Sequence, residues 1–208
     1  MKIAIDGAAG SGKTSLARAL AEHFGCRYVS TGKFYRAVAL GIDRGISLDG
    51  IRLELTQEGR ILLNGEDVSD ALHTPQVDQA SSRVAALPEV RAKLLSFQRE
   101  IAEREDVVME GRDIGTVVLP DADVKIFLVA SPEERARRRN LEQGAGDVEE
   151  TKRELELRDH RDSTRPIAPL NAASDATILL TDRKPLAEVI SEAISLVKER
   201  LDGRCFAD

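Results

Sequence analysis

A glycine-rich stretch near the start of the chain carries residue types that bind phosphate. Gly7 and Gly12 precede Lys13 and Thr14 in the pattern G-x-x-x-x-G-K-[ST]. Glycines let backbone N–H groups approach phosphate oxygens, Lys13 supplies a cation for the β- and γ-phosphates, and Thr14 offers a hydroxyl to Mg²⁺. The pattern therefore predicts a site for a nucleoside triphosphate. The loop comprises Gly7, Ala8, Ala9, Gly10, Ser11, Gly12, Lys13, Thr14 and Ser15.

Arginines in later segments indicate a second anionic site. Arg112 and Asp113 follow an apolar run, at the expected carboxyl end of a strand, where open α/β sheets bind ligands. Two further groups have helical spacing and therefore share a helix face: Arg158, Arg161, Asp162 and Arg165, and Arg135, Arg138 and Arg139. Like charges at this spacing repel, which in an acidic chain predicts a polyphosphate partner. The alternative is a solvated surface with ion pairs to Glu134 and Glu154.

A polar stretch with two glycines, EQGAGDVEET, separates these arginine groups. Its composition is suited to a hinge. We therefore expect a mobile, arginine-rich lid that closes on phosphates.

The elements that would position these residues alternate between strand and helix. Strands are predicted from the apolar, β-branched runs KIAI, RYVS, DVVMEG, VKIFLVA and ATILLT. Helices are predicted over 13–24, 32–45, 88–105 and 185–201. This alternation favours a parallel sheet with helices on both faces. The Asn64-Gly65 pair is typical of a hairpin, so residues from about 48 to about 70 are expected to form a small antiparallel insert.

Composition narrows the functional class. The chain has 208 residues, 42 % of them apolar and 32 % charged, which fits one α/β domain. The net charge of −6 gives no reason to expect nucleic-acid binding. No apolar run approaches the roughly 20 residues of a membrane helix, and the N-terminus has no targeting pattern, so a cytoplasmic location is expected. Cys26 and Cys205 suggest neither a disulfide nor a metal site.

Six stretches, in this order and spacing, resemble the bacterial cytidylate kinases of the nucleoside monophosphate kinase family over nearly the whole chain. They are IDGAAGSGKTS, STGKFYRAVAL, LNGEDVS, SSRVAALPEVR, EGRDIGTVVLPDADVKIFL and RDHRDSTRPIAPL. The resemblance implies a P-loop three-layer α/β/α fold with a central parallel five-stranded sheet, a small antiparallel β insert in the monophosphate-binding region and a helical mobile lid. It implies one domain over 1–208, with the core at 1–45, 86–132 and 170–208, the insert at about 46–85 and the lid at about 133–169.

The resemblance also assigns expected roles to single residues. Cytosine is read by Ser82, Arg91 and Asp113. Thr31, Tyr35, Arg36 and Arg112 belong to the acceptor side, Asp162 and Arg158 hold the ribose hydroxyls, and Arg165 lies near the transferring group. From the mechanism of phosphoryl transfer we further expect Arg138 or Arg139 to join Arg165 on lid closure, and Lys13, Arg112 and Arg165 to be the catalytic residues.

The chain departs from the family pattern at several positions. Thr31 stands where serine is frequent, which keeps the hydroxyl, and Ser30 replaces an aspartate. Ala8-Ala9 replaces Pro-Ser at variable positions of the loop. Lys33 replaces an alanine and either adds charge near the phosphate or points to solvent.

The expected function is transfer of the γ-phosphate of Mg·ATP to CMP or dCMP, in pyrimidine nucleotide metabolism, by a monomer. The accepting phosphate oxygen is largely ionised at neutral pH, since the second pKa of a phosphate is about 6, so no general base is required. One alternative is a kinase of UMP, AMP or a small hydroxyl metabolite. Another is a regulatory P-loop NTPase, against which the lack of an N-K-x-D guanine signature and the arginine-rich acceptor side both count.

Overall fold

The computed structural model describes residues 1–143 and 147–203. The strands are β1 Lys2–Gly7, β2 Arg27–Ser30, β3 Leu53–Leu55, β4 Ile61–Leu63, β5 Glu66–Asp67, β6 Val107–Gly111, β7 Val124–Val129 and β8 Thr177–Leu180. The α-helices are α1 Lys13–Phe24, α2 Thr31–Asp43, α3 Pro75–Val84, α4 Pro88–Arg104, α5 Pro132–Gln143, α6 Val148–Thr164 and α7 Leu186–Asp202. Short 3₁₀ turns at Leu48–Gly50 and Ser69–His73, and a π-helical turn at Ile114–Val118, complete the order.

A five-stranded sheet with strand order β2-β6-β1-β7-β8 forms the centre of the fold. β1 pairs in parallel with both β6 and β7, and β8 pairs in parallel with β7. In this register Asp6 lies opposite Gly111, so the loop after β1 starts beside Arg112. Carboxyl ends of neighbouring parallel strands are where such sheets bind ligands.

Helices α1 and α7 cover one face of this sheet with apolar side chains. Leu16 and Leu20 of α1 and Val189 and Val197 of α7 pack in one buried cluster with the strand residues. Gly12 precedes α1 with φ 94°, and Gly25 ends it with φ 67°. Both conformations are left-handed, which glycine adopts without steric cost.

A smaller antiparallel sheet has the order β3-β4-β5. Leu63 pairs with Glu66 across the two-residue turn Asn64-Gly65. Both turn residues have positive φ, 52° and 85°. A type I′ turn requires this, which explains the Asn-Gly sequence.

The chain forms two compact units. The first contains residues 1–28 and 102–208 and holds the phosphate loop, Arg112, Asp113 and α5 and α6. The second, residues 29–101, contains the small sheet, α2, α3 and α4. In the second unit, Phe34 and Phe97 meet edge to face with centroids 5.0 Å apart. The predicted insert lies in the second unit and the predicted lid in the first.

The predicted fold class is confirmed by the parallel five-stranded sheet and the separate antiparallel sheet. Most element boundaries match the expectation within one or two residues. Gly144, Ala145 and Gly146 of the predicted hinge, and Cys205, lie outside the described residues. In the part of the chain that the structure describes, no helix has both the length and the apolar character to cross a membrane.

The expectation that Arg165 shares a helix face with Arg158, Arg161 and Asp162 is wrong. Helix α6 ends at Thr164, and Arg165 has an extended conformation with φ −63° and ψ 140°. The residue before a proline is disfavoured in helical conformation, and Pro166 follows. Arg161 is exposed whereas Asp162 is buried, so these two also face different surroundings.

Candidate active site

The phosphate loop connects β1 to α1 in the left-handed backbone conformations that its glycines permit. Gly7, Gly10 and Gly12 have φ values of 150°, 73° and 94°. A Cβ on Gly7 would lie 2.5 Å from the carbonyl oxygen of Leu128, so β7 leaves no room for a side chain there. Ser11 is buried, whereas Thr14 and Ser15 are exposed at the start of α1. The amino end of a helix preceded by such a loop is suited to bind phosphate.

Lys13 is buried within this loop. Its Nζ donates to the carbonyl oxygen of Ala8 at 2.6 Å and to Ser11 Oγ at 3.4 Å. Burial, together with repulsion from Arg112, lowers the pKa of Lys13 to about 7. An anionic group that approaches Nζ would stabilise the protonated form, as a phosphate of a nucleotide does.

Thr14 Oγ1 donates to Glu110 Oε1 at 3.1 Å. Glu110 is the fourth residue of β6, is buried, and also accepts from Tyr28 Oη at 3.4 Å. A hydroxyl and a carboxylate are hard oxygen ligands, and Mg²⁺ is usually held by one or two carboxylates together with phosphates and water. The residues present therefore fit a magnesium ion bound with a nucleotide. Across 1–143 and 147–203, no cluster of three or more His, Cys, Asp or Glu side chains forms a separate metal site.

Arg112 connects the phosphate loop to helix α6. Its Nη1 donates to the carbonyl oxygen of Gly7 at 2.8 Å, and its Nε donates to Asp162 Oδ2 at 2.8 Å. Burial alone would raise the pKa of Asp162, but the positive charges of Arg112, Arg158 and Arg165 hold it below its ordinary value. Asp162 is therefore ionised at neutral pH, in a site rich in guanidinium groups.

Asp113 and Arg165 form a buried ion pair. Arg165 Nη2 donates to Asp113 Oδ1 at 3.1 Å, and Arg165 Nε donates to the carbonyl oxygen of Ala168. Asp113 and Arg165 side chains are 7 % and 6 % exposed, so both charges are removed from water and depend on their partners.

Two arginines of α5 contact carbonyl oxygens of the phosphate loop. Arg135 is buried, forms an ion pair with Asp159, and donates to the carbonyl oxygens of Ala130 and Ala9 at 3.1 Å each. Arg138 donates to the carbonyl oxygen of Thr181 at 2.6 Å and to that of Ser11 at 3.4 Å.

Arg139 is half-buried, and its Nη1 lies 3.8 Å from Glu142 Oε2 in a long ion pair. The expected surface pairs also form on α5. Glu134 accepts from Arg138 at 2.9 Å and from Arg137 at 2.8 Å. The arginines of this helix therefore divide into contacts with the loop and surface pairs.

The second unit contains the remaining predicted acceptor residues. Thr31 is buried at the first position of α2, and the guanidinium of Arg91 lies 5.6 Å from the centroid of the Tyr35 ring. Arg36 pairs with Asp78 through Nη2–Oδ1 at 2.7 Å. Ser82 is buried, and its Oγ has no hydrogen-bond partner among the described residues.

Arg91 Nη1 donates to the carbonyl oxygen of Ala85 at 3.2 Å. Lys33, for which two positions were expected, donates to the carbonyl oxygen of Gly59 at 3.2 Å. The second unit therefore brings Tyr35 and Arg91 together within its own helices.

Three residues of this region were not identified from the sequence. Glu110 contacts Thr14, Asp159 accepts from the Ala9 N–H at 3.4 Å, and Thr181 contacts Arg138. Glu110 can be identified as a candidate from the sequence, because it is a charged residue near the end of an apolar strand run. The local sequence does not identify Asp159 or Thr181, since their partners are distant in sequence.

Comparison with known proteins identifies the family. The model of the family described as cytidylate kinase matches residues 3–199. A cytidylate kinase from Mycobacterium leprae (strain Br4923) is 48 % identical and covers 95 % of this chain and 96 % of its own length. A cytidylate kinase from Desulfitobacterium hafniense (strain Y51) is 42 % identical and covers 97 % and 94 %.

Solved structures with low sequence identity share the fold. An uncharacterized protein from Eubacterium ventriosum has a TM-score of 0.60 at 16 % identity, over 95 % of this chain and 98 % of its own. A gluconokinase from Sinorhizobium meliloti has a TM-score of 0.57 at 16 % identity, over 99 % and 95 %. These structures support the fold, while the family model and the close relatives support a narrower conclusion. The chain belongs to the cytidylate kinase family.

Proposed function

We propose that the protein transfers the γ-phosphate of ATP to CMP or dCMP, giving ADP and CDP or dCDP. The observation that carries this proposal is the charged network at the phosphate loop. Arg112 donates to the carbonyl oxygen of Gly7 and also to Asp162, so a guanidinium group is fixed beside the loop. Two nucleotide phosphates brought close together repel each other, and fixed guanidinium groups offset that repulsion.

ATP binds to the loop from Gly7 to Ser15. Backbone N–H groups and Lys13 engage its phosphates, and Arg138 or Arg139 extends the contact from α5. Thr14 and Glu110, together with the phosphates, would hold a Mg²⁺ ion, which would supply positive charge beside the β- and γ-phosphates. The exposure of Thr14 at the amino end of α1 supports this assignment.

Selection of cytosine depends on Asp113, Ser82 and Arg91. The exocyclic amine of cytosine donates hydrogen bonds, whereas uracil has a carbonyl oxygen at that position. An ionised Asp113 accepts from the amine and repels the carbonyl, so uracil leaves a buried polar group unpaired. The buried, unpartnered hydroxyl of Ser82 supports its assignment as a base-binding group.

The acceptor phosphate binds to Thr31, Arg36 and Arg112, and Tyr35 lies with them on the acceptor side. Arg36 exchanges its partner Asp78 for the phosphate. Asp162 and Arg158 hold the ribose, and Arg165 stabilises the transferring group. The attacking oxygen is already ionised, so the protein contributes alignment and charge neutralisation and does not need to remove a proton.

The same proposal covers the larger organisation. Residues 46–85 are the monophosphate-binding insert, residues 133–169 are the lid, and the lid excludes water when both nucleotides are bound, which suppresses hydrolysis of ATP. The protein acts as a monomer in cytoplasmic pyrimidine nucleotide metabolism, without a nucleic-acid partner.

A coupled assay of ADP release with Mg·ATP and each monophosphate in turn tests this proposal. We expect turnover with CMP and dCMP, and kcat/KM for UMP and AMP lower by at least about 100-fold. Equal turnover of UMP or AMP would contradict the proposed specificity. ADP release without any acceptor, at the same rate as with CMP, would instead indicate a hydrolytic NTPase.

A further inference from the structure

Asp6 is a buried carboxylate that the proposed function does not use. It is the fifth residue of β1, immediately before the phosphate loop, and is 4 % exposed. Its carboxylate accepts two backbone hydrogen bonds. Ile114 N donates to Oδ1 at 2.8 Å, and Gly115 N donates to Oδ2 at 2.7 Å.

These two N–H groups are the first of the π-helical turn Ile114–Val118, which directly follows Asp113. The carbonyl oxygen of Asp113 accepts from Val117 N at 2.9 Å and from Val118 N at 3.2 Å. The backbone of Asp113 is therefore fixed by the turn, and the turn is fixed by Asp6. Such π turns are rare in proteins, and those that occur are often found at functional sites.

The contact between Asp6 and the turn is close. A Cβ on Gly115 would lie 3.4 Å from Asp6 Oδ2 and 3.2 Å from Lys125 Cδ. A side chain at position 115 would therefore press on the buried Lys125 and approach Asp6, so glycine allows the turn to come this near to the carboxylate.

Burial of the Asp6 carboxylate disfavours its ionised form. Burial raises the pKa of Asp6 to about 6, against the opposing effect of the two backbone N–H groups. The charges that influence it are Asp113, which raises the pKa, and Lys13, which lowers it. Hydrogen bonds to an ionised carboxylate are stronger than those between neutral groups, which favours a role that requires a firmly fixed turn.

We propose that Asp6 is a positioning residue for acceptor selection: through Ile114 and Gly115 it fixes the turn that sets the place of the Asp113 carboxylate, and so determines discrimination between cytosine and uracil. This inference rests on the proposed function. Asp6 contacts the backbone of the turn and acts on the base through Asp113. Its electrostatic interaction with Lys13 affects turnover of CMP and UMP alike, so the ratio of the two isolates the effect through Asp113.

The variant Asp6→Asn tests the inference with little change in volume. An amide has one acceptor oxygen, and its NH₂ group would face a backbone N–H, so one of the two hydrogen bonds becomes a donor–donor contact. We expect the ratio of kcat/KM for CMP to kcat/KM for UMP to fall by at least about tenfold. A change in the KM for ATP caused by the lost interaction with Lys13 applies to both acceptors and cancels in this ratio.

Asp182→Asn is the matched control. Asp182 also accepts through both carboxylate oxygens from one backbone N–H, that of Ser131 at 2.9 and 3.1 Å, but it does not contact the turn. Its substitution should leave the CMP/UMP ratio unchanged. An unchanged ratio in folded Asp6→Asn would overturn the inference, as would an equal fall of the ratio in the control.

A second variant covers the case in which Asp6→Asn does not fold. Gly115→Ala moves the turn by a few tenths of an ångström, and we expect a smaller fall of the same ratio. A folded Gly115→Ala protein with the unchanged ratio would overturn the inference.

If the unsubstituted protein itself shows no preference for CMP, the proposed function fails and the inference fails with it. If the unsubstituted protein prefers CMP and neither variant alters that preference, the inference fails while the proposed function stands.

Discussion

Arg112 and Asp113 are neighbours in sequence but are held by different partners. Arg112 donates to Gly7 and Asp162, whereas Asp113 accepts from Arg165. Each of the two side chains has its own partners, so both charges are compensated in a region from which water is largely excluded. The sequence identifies both residues from their place after a strand, but not Glu110, whose carboxylate is buried against Thr14.

Asp113→Asn should weaken the discrimination between cytosine and uracil. The amide oxygen can still accept from Arg165, while its NH₂ group can donate to the carbonyl oxygen of uracil. We expect the CMP/UMP ratio of kcat/KM to fall by about 10- to 100-fold, measured by the coupled assay. Asp113→Ala should slow CMP turnover and also reduce the ratio. A variant that keeps the original preference would exclude Asp113 from base selection.

Lys13 is required for turnover in the proposed function, but its burial destabilises the folded protein. Its pKa is lowered to about 7 in the folded protein, from an ordinary value of 10.5, first by burial and then by Arg112. The unfolded chain therefore binds more protons between these values, and the free energy of unfolding rises with pH across this window. At neutral pH the buried ammonium group destabilises the folded protein.

Lys13→Met should nearly abolish turnover and raise the free energy of unfolding by about 2 kcal/mol near pH 7. This stability advantage should shrink by on the order of 2 to 3 kcal/mol between about pH 7 and about pH 9.5. Urea unfolding at both pH values measures it. An advantage that grows with pH would contradict the assigned direction of the shift, and normal turnover would remove Lys13 from the mechanism.

At the scale of elements, helices α5 and α6 are joined to each other and to the loop by one buried arginine. Arg135 of α5 pairs with Asp159 of α6 and also donates to Ala9. Periodicity predicts both the helix and its arginine-rich face, but it does not distinguish Arg135 from Arg138. That distinction depends on partners 24 or more residues away in sequence, which local patterns do not contain.

Arg135→Met should lower the free energy of unfolding by about 3 kcal/mol, because it leaves Asp159 with a partly buried, unpaired charge. Arg137→Met on the same helix is the matched control, since Arg137 is 59 % exposed and forms a surface ion pair with Glu134. The control should change stability by less than about 1 kcal/mol. Equal effects in urea unfolding would show that Arg135 is not the structural link.

Strand and helix boundaries were predictable where the local chemistry is decisive. Asn64-Gly65 predicts its own turn because both residues tolerate positive φ. The regular charge spacing extends to Arg165 and predicts one residue too many on the helix face, although Pro166 disfavours helix in the residue before it. The signal was present in the sequence and was outweighed by the regular spacing of the arginines.

For the whole molecule, the family membership and the parallel sheet expected from the sequence are confirmed. The expected limits of insert and lid stay predictions, and so do the roles of the site residues. Residues 29–101 form one compact unit and the remainder of the chain another, a division that depends on tertiary contacts and not on composition. The predicted acceptor residues are distributed over both units.

The central claim is that two nucleotides bind at the same time, with their phosphates next to each other and stabilised by arginine side chains. Calorimetric titration of CMP into protein saturated with Mg²⁺ and a non-hydrolysable ATP analogue tests it most directly. We predict one CMP bound per chain in the presence of the analogue, with UMP at least about tenfold weaker. Failure of CMP to bind beside the analogue, or its displacement of the analogue from the loop, would contradict the account.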